Sequence, residues 1–319
     1  MQHTLPVSEK PNDMKAARSP IALPSLIQHR LETAVTELIG SVAHEADFTS
    51  PPGEPALTRP DSVSWQVFKN PLSLFIGGVA AVILELAEPR VRTGVWSHTT
   101  FRKNPLPRMQ RTGLAAMMTV YGPRSRTEAM IARVRKMHVH VRGLTPDGIP
   151  YRADDPELLT WVHATAGYGF LHAYSTYVRS LSDVERNRFF AEGAASSRLY
   201  GATSAPGSER ALDLLLMSMS DKLRASPIIF EFLDIVRKLP LLPPPLAPVQ
   251  SWLVDAAINI LPPEVRERLD LDDRVHLRHW QVALIRRCGA VLDRIPLRSA
   301  PPVQACRRMG LPDDYLYTR

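Results

Sequence analysis

The residues with most to say about chemistry lie in SRTEAMIARVRKMHVHVR, residues 125–142. Apolar side chains recur there at Met130/Ile131, Val134, Met137 and Val141, the spacing of one helical face. His138 falls in that face, four residues after Val134 and three before Val141. Arg135 stands one turn before it and Arg142 one turn after. An inward imidazole flanked on one edge by two cations suits haem: the imidazole can ligate iron while apolar neighbours wrap a porphyrin, and arginines can pair with propionates. Spacing alone favours a plainer reading, a core histidine bonded to a carbonyl with both arginines on the surface. His140, two residues on, faces away. His163, in the run WVHA, is either a second group of the same pocket or a satisfied core histidine. His172 is the weaker candidate, because its apolar neighbours already read as core.

A second cluster is Arg108-x-x-Arg111-Thr112, which Pro105 and Pro107 place at a helix start. Arginines beside the free N–H groups of a helix N-terminus can hold an anion or an oxygen species. Ordinary capping with surface charge accounts for the same residues. Other chemistries lack their signatures. No Gly-rich phosphate loop, GxSxG or HExxH occurs, and His98 forms no two-histidine, one-carboxylate spacing with the acidic residues. The two cysteines, Cys288 and Cys306, make neither a zinc ribbon nor a CxxC; Cys288 has no catalytic signature around it. Such usage suits a reducing compartment.

The elements that must position these groups are helices. Periodicity predicts them over 25–45, 71–87, 104–122, 125–142, 155–179, 183–199, 208–223, 227–238, 249–260 and 276–293. Ser125 with Glu128, and Ser182 with Glu185, read as capping boxes. Gly143 reads as a left-handed stop, Asp154 as a cap, and Pro71 and Pro156 as first-turn prolines. The helix 71–87 is apolar nearly all round, which predicts burial on every side. Its Gly77-Gly78 pair fits a helix crossing, or a place where a flat or linear ligand nears the backbone. Residues 144–153 read as a turn, 239–248 (LPLLPPPLAP) as a stiff crossover, and the end of the chain as loop. The fold class is therefore all-α with an extended, Pro-rich N-terminal flank. The division expected is a flexible tail with one helix over 1–60, a helical domain over 61–295 and an extension over 296–319.

Composition narrows the class further. The chain has 319 residues, is 45% hydrophobic and carries a formal charge of +7, from 39 Lys and Arg against 32 Asp and Glu. That excess is mostly arginine spread along the chain, without the runs or finger spacings of a nucleic-acid binder. The N-terminus has no secretory apolar region. The greasiest stretch, Leu72 to Leu86, is broken by Gly77-Gly78, carries Glu85, and falls short of the roughly 20 apolar residues of a membrane span. A cytoplasmic protein with no integral membrane segment is expected.

Five segments in consistent order carry a resemblance: GGVAAVILELAEP (77–89), HTTFRKNPLPRMQRT (98–112), VRKMHVHVRGLTPDGIPYRADDPELLTWVHAT (134–165), LSDVERNRFFAE (181–192) and LPPEVRERLDL (261–271). The set, covering roughly residues 65–275, resembles the oxygenase MpaB family, which includes the catalytic domain of latex-clearing protein. The resemblance implies a globin-like helical domain holding non-covalent haem b, activating O₂ and cleaving or oxidising a carbon–carbon double bond in an apolar, isoprenoid-like small molecule. By position it implies His138 as the iron ligand with Arg135 and Arg142 at the propionates, and Arg108, Arg111 and Thr112 on the oxygen side. Latex-clearing proteins have lysine where this chain has Arg111, and a guanidinium stays protonated and is a poor iron ligand. Many relatives have histidine where this chain has Glu88. His163 belongs to the WVHA segment of the broader family. The alternative is a non-catalytic haem or lipid binder of the same fold.

Overall fold

The computed structural model describes residues 19–29, 32–33, 47–242, 246–274 and 277–318. Most of the sequence-predicted helix at 25–45 and tail at 1–24 lies outside these residues; within them, 25–29 are helical. A short helix α1 (Val63–Val67) leads into α2 (Pro71–Ala87). Asn70 starts α2 by accepting from the N–H groups of Leu72 and Ser73 at 3.1 and 3.2 Å, ahead of Pro71 in the first turn. Glu88 both ends α2 and caps α3 (Pro89–His98), accepting from Val91 N at 2.8 Å. Then follow α4 (Pro105–Tyr121) and α5 (Arg124–His138).

The chain next forms a hairpin that the sequence did not announce. Strand β1 (Arg142–Leu144) pairs antiparallel with β2 (Pro150–Arg152), Gly143 opposite Tyr151. Three corrections follow. Helix α5 stops at His138 instead of running to 142. Gly143 is a strand residue that makes room for its partner, since a Cβ there would meet the Tyr151 hydroxyl at 2.8 Å. Ser125 is no capping box: its N–H and hydroxyl donate to Glu54 at 2.5 and 3.0 Å, while Glu128 accepts from Arg124.

The long helix α6 (Pro156–Tyr177) is capped by Asp155, which accepts from Glu157 N, whereas Asp154 is paired with Arg152. The Ser182–Glu185 capping box is present on α7 (Asp183–Glu192). Gly193 breaks the expected single helix into α7 and α8 (Ala194–Tyr200). Next come α9 (Glu209–Met219) with a 3₁₀ turn (Ser220–Lys222), α10 (Pro227–Lys238), α11 (Ala247–Asn259), α12 (Pro263–Arg268) and α13 (His279–Leu292). The expected loop at the chain's end instead contains α14 (Pro301–Arg308). The fold is all-α, with β1–β2 as the sheet of the described residues. No single described helix is long and apolar enough to cross a membrane.

Helix α2 is the axis of the core, and α6 crosses it most closely. The crossing is backbone on backbone: a Cβ on Gly77 would sit 2.7 Å from the Gly169 carbonyl oxygen. The Trp161 indole, fully buried, seals the same interface by donating to Leu84 O at 3.2 Å. The flanks join this core. Buried Arg308 donates to the carbonyls of Phe48, Glu54 and Tyr121 at 2.7, 2.8 and 2.7 Å. Buried Lys69 donates to Leu316 O at 2.7 Å and pairs with Asp293 at 3.3 Å.

Candidate functional site

Helix α2 is buried from Ser73 to Ala87 except on one stripe: Leu74, Phe75, Gly78, Val82 and Glu85 keep accessible surface. The steps between Phe75, Gly78, Val82 and Glu85 are three, four and three residues, so these side chains share a face. On α6 a matching stripe of partly accessible residues contains Leu159, His163, Ala166 and Phe170. The stripes adjoin where Phe170 Cε1 lies 3.9 Å from the Cβ position of Gly78. The two glycines are thus separated by role. Gly77 permits the helix crossing, and Gly78 opens onto the lined face.

Glu85 is the polar end of the α2 stripe. Burial pushes its carboxyl up to about 7, opposed by the charge of Arg108 on α4. Arg108 in turn is lowered by burial, with Glu85 opposing and Arg111 adding to the effect. Its guanidinium donates to the Thr112 hydroxyl, which itself donates to the Arg108 carbonyl at 2.9 Å. His138, at the last turn of α5, is half-buried and is lowered first by burial and then by Arg108, with Asp154 opposing. Three elements therefore bring Glu85, Arg108 and His138 into one electrostatic neighbourhood, with Arg111 beside it. Glu85 escaped the sequence reading as a site residue. The available signal was a lone carboxylate in an otherwise apolar helix, which burial alone would disfavour.

The other expected residues go elsewhere or stand apart. Arg135 is exposed, its Nε 3.9 Å from the Cβ position of Gly201 at the end of α8. Arg142 is exposed on β1, so it does not extend the α5 face as the sequence reading had it. Neither arginine has a hydrogen-bond or ion-pair partner among the described residues. His163 packs against Gly193, its Nε2 3.3 Å from that residue's Cβ position, and burial lowers it to about 4. His140 is exposed. His172 stacks on Tyr168 with centroids 4.1 Å apart, and burial followed by Arg186 lowers it to about 4. His98 bonds Tyr151 Oη at 3.0 Å. Glu88 is occupied as the α3 cap and by Arg90 at 2.7 Å.

These residues suit one kind of cofactor. Among the described residues no group of three or more His, Cys, Asp or Glu could hold a bare metal ion. A porphyrin brings four nitrogens of its own and asks the protein for a single imidazole. His138 is such an imidazole: held neutral by desolvation and by a neighbouring cation, and without a hydrogen-bond partner among the described residues. The apolar stripes of α2 and α6 offer faces for a flat ring, and partly buried Arg108 offers positive charge. The residues present fit haem.

Comparison with known proteins agrees in class. The family profile described as ER-bound oxygenase mpaB/B'/Rubber oxygenase, catalytic domain, matches residues 65–292. The chain belongs to that family and carries an oxygenase-type domain. No curated protein and no solved structure matches it.

Proposed function

We propose that the protein is a haem b-dependent oxygenase that uses O₂ to oxidise or cleave a carbon–carbon double bond in an apolar, isoprenoid-like small molecule. The observation that carries the reading is the convergence of His138, Arg108 and Glu85 beside accessible apolar stripes on otherwise buried helices. His138 would ligate the iron and Arg135, one turn before it on the same helix, would pair with a propionate, whereas Arg142 lies on β1 and off that face. When bound, haem supplies dioxygen binding and activation.

The chain's own groups then divide the remaining work. Thr112 holds the Arg108 guanidinium in a fixed orientation. Arg111, exposed one turn after Arg108, would add a second cation, and such donors stabilise negative charge as it develops on oxygen. Glu85, raised to about 7, is half-protonated near neutral pH and can hold or release a proton at its carboxyl oxygens. Phe75, Gly78, Val82 and Phe170 give an apolar ligand a place to lie. His163 is neutral and borders the same stripe.

The test is incubation with soluble isoprenoids under ¹⁸O₂, followed by mass spectrometry. Two labelled carbonyls support double-bond cleavage, and one labelled oxygen in an intact chain supports hydroxylation. Tight binding across an apolar panel without incorporation would replace the enzyme with a binder.

A further inference from the structure

A pair of hydroxyls joins α4 to α8. Thr119 Oγ1 donates to the Ala115 carbonyl at 2.8 Å, one turn back on α4. A hydroxyl has a single proton to give. In the 3.0 Å contact between Thr119 Oγ1 and Tyr200 Oη the phenol is therefore the donor. The Tyr200 oxygen keeps its acceptor lone pairs, and no group among the described residues donates to it. Burial pushes this phenol up, with Thr119 opposing, so it stays a neutral hydroxyl around pH 7. The α8 serines are spent on their own helix: Ser196 donates to Gly193 O at 2.9 Å and Ser197 to Ala194 O at 3.1 Å.

The pair lies along the faces already described. On α4, Arg108, Thr112, Ala115 and Thr119 follow at steps of four, three and four residues, so they share a face, and all keep accessible surface. Thr119 is about 16 Å from Arg108 along that face, at about 1.5 Å per residue. Helix α8 lies against the accessible stripe of α6. Gly193 at its start meets His163, and the Cβ position of Gly201 just past its end is 3.1 Å from Leu159 Cδ1. Tyr200, itself partly accessible, reaches from there to α4. It thus bridges the α4 face and the α6 stripe.

These contacts give an elongated site two unlike polar points. Arg108, with Glu85 near it, is charged. Tyr200 is neutral and offers an acceptor. Such an oxygen suits a ligand O–H and gains nothing from a group that can only accept. A buried polar group left unpaired by an analogue lacking the hydroxyl is what makes such a site selective.

We propose that Tyr200 binds the hydroxyl end of a long-chain alcohol, with Thr119 as the positioning residue that aims the phenol. The inference rests on the reading of these helices as an apolar ligand's site, and it narrows the ligand to chains that end in a hydroxyl. The probes are dodecanol and dodecyl methyl ether, saturated chains with no double bond to oxidise. In calorimetric titration of the purified full chain, dodecanol should bind roughly tenfold more tightly than the ether. Tyr200→Phe should lower dodecanol to the affinity of the ether and leave the ether unchanged. Thr119→Val frees the phenol proton for a ligand acceptor, so the ether should bind more tightly than it does to wild type. A merely structural role for Thr119 would not raise it. An unchanged thermal melt verifies the fold of each variant, and the two probes on wild type decide the matter if a variant does not fold. Equal binding of both probes by wild type would overturn the proposal and leave the apolar site standing. So would an equal loss of both in Tyr200→Phe. Binding of neither probe would overturn the proposal together with the apolar-site reading.

Discussion

At the scale of single residues, three side chains from three helices, His138, Arg108 and Glu85, make the proposed site. Under this reading His138→Ala loses most of the haem, while His140→Ala and His172→Ala keep it, because His140 is exposed and His172 is stacked on Tyr168. Haem content per chain decides it, and loss from His163→Ala alone would move the ligand to α6. Arg111→Ala should keep haem and lose turnover, by about 3 kcal/mol or roughly a hundredfold if it donates to developing charge. Unchanged oxygen consumption in loaded Arg111→Ala would leave the residue a structural role. Glu85 adds a pH dependence. Its folded value, about 7, is above that of an exposed glutamate. Stability is therefore complete at pH below about 4.5 and falls as pH rises through 7, by up to about 3 kcal/mol. Glu85→Gln should remove this fall, read as the difference in melting temperature between pH 5 and pH 8. The same fall in both proteins would mean that Glu85 titrates as an exposed acid.

At the scale of elements, the crossing of α2 and α6 makes the sharpest prediction, because adjacent glycines face different surroundings. Gly77→Ala drives a methyl into the backbone of α6 and should cost on the order of 3 kcal/mol. Gly78→Ala meets only Phe170 at 3.9 Å and should be neutral or stabilising by up to about 1 kcal/mol, as alanine is the better helix former. Denaturant melts of both variants check this, and equal losses would contradict the division. Here the sequence was partly legible. The pair was readable as a crossing or as a ligand approach, and it proves to hold a crossing at Gly77 and an open face at Gly78. Helices with strong local signals, such as α2 behind Asn70-Pro71 and α7 behind Ser182–Glu185, were readable from their caps. Where the sequence misled, distant partners decided. Glu54 took Ser125 from its expected capping box, and Tyr151 turned Gly143 from a helix stop into a strand residue. The site was legible as two clusters, His138 and Arg108/Arg111. Their approach, and Glu85 on the far helix acting on Arg108, depends on packing across helices that no local pattern records.

At the scale of the whole molecule, segments outside the family match are built into the frame of the site. Arg308 ties the carbonyls of Phe48 and Glu54 to that of Tyr121, the last residue of the helix that carries Arg108. Arg308→Ala leaves buried carbonyls without a donor and should destabilise the protein by about 3 kcal/mol or more. A melt unchanged from wild type would show that the flanks are dispensable. The chain-end helix α14 was not readable because its stability comes from this docking and not from its own short, proline-led sequence. The proposed haem b, with His138 as its protein ligand, is open to direct measurement. The most direct measurement is the visible absorption spectrum of freshly purified protein, followed by acid-acetone extraction and pyridine haemochrome analysis. The expected result is a haem Soret band, an extractable porphyrin and a haemochrome of the b type. A protein that stays colourless after expression with haem precursor and after reconstitution with haem would contradict it.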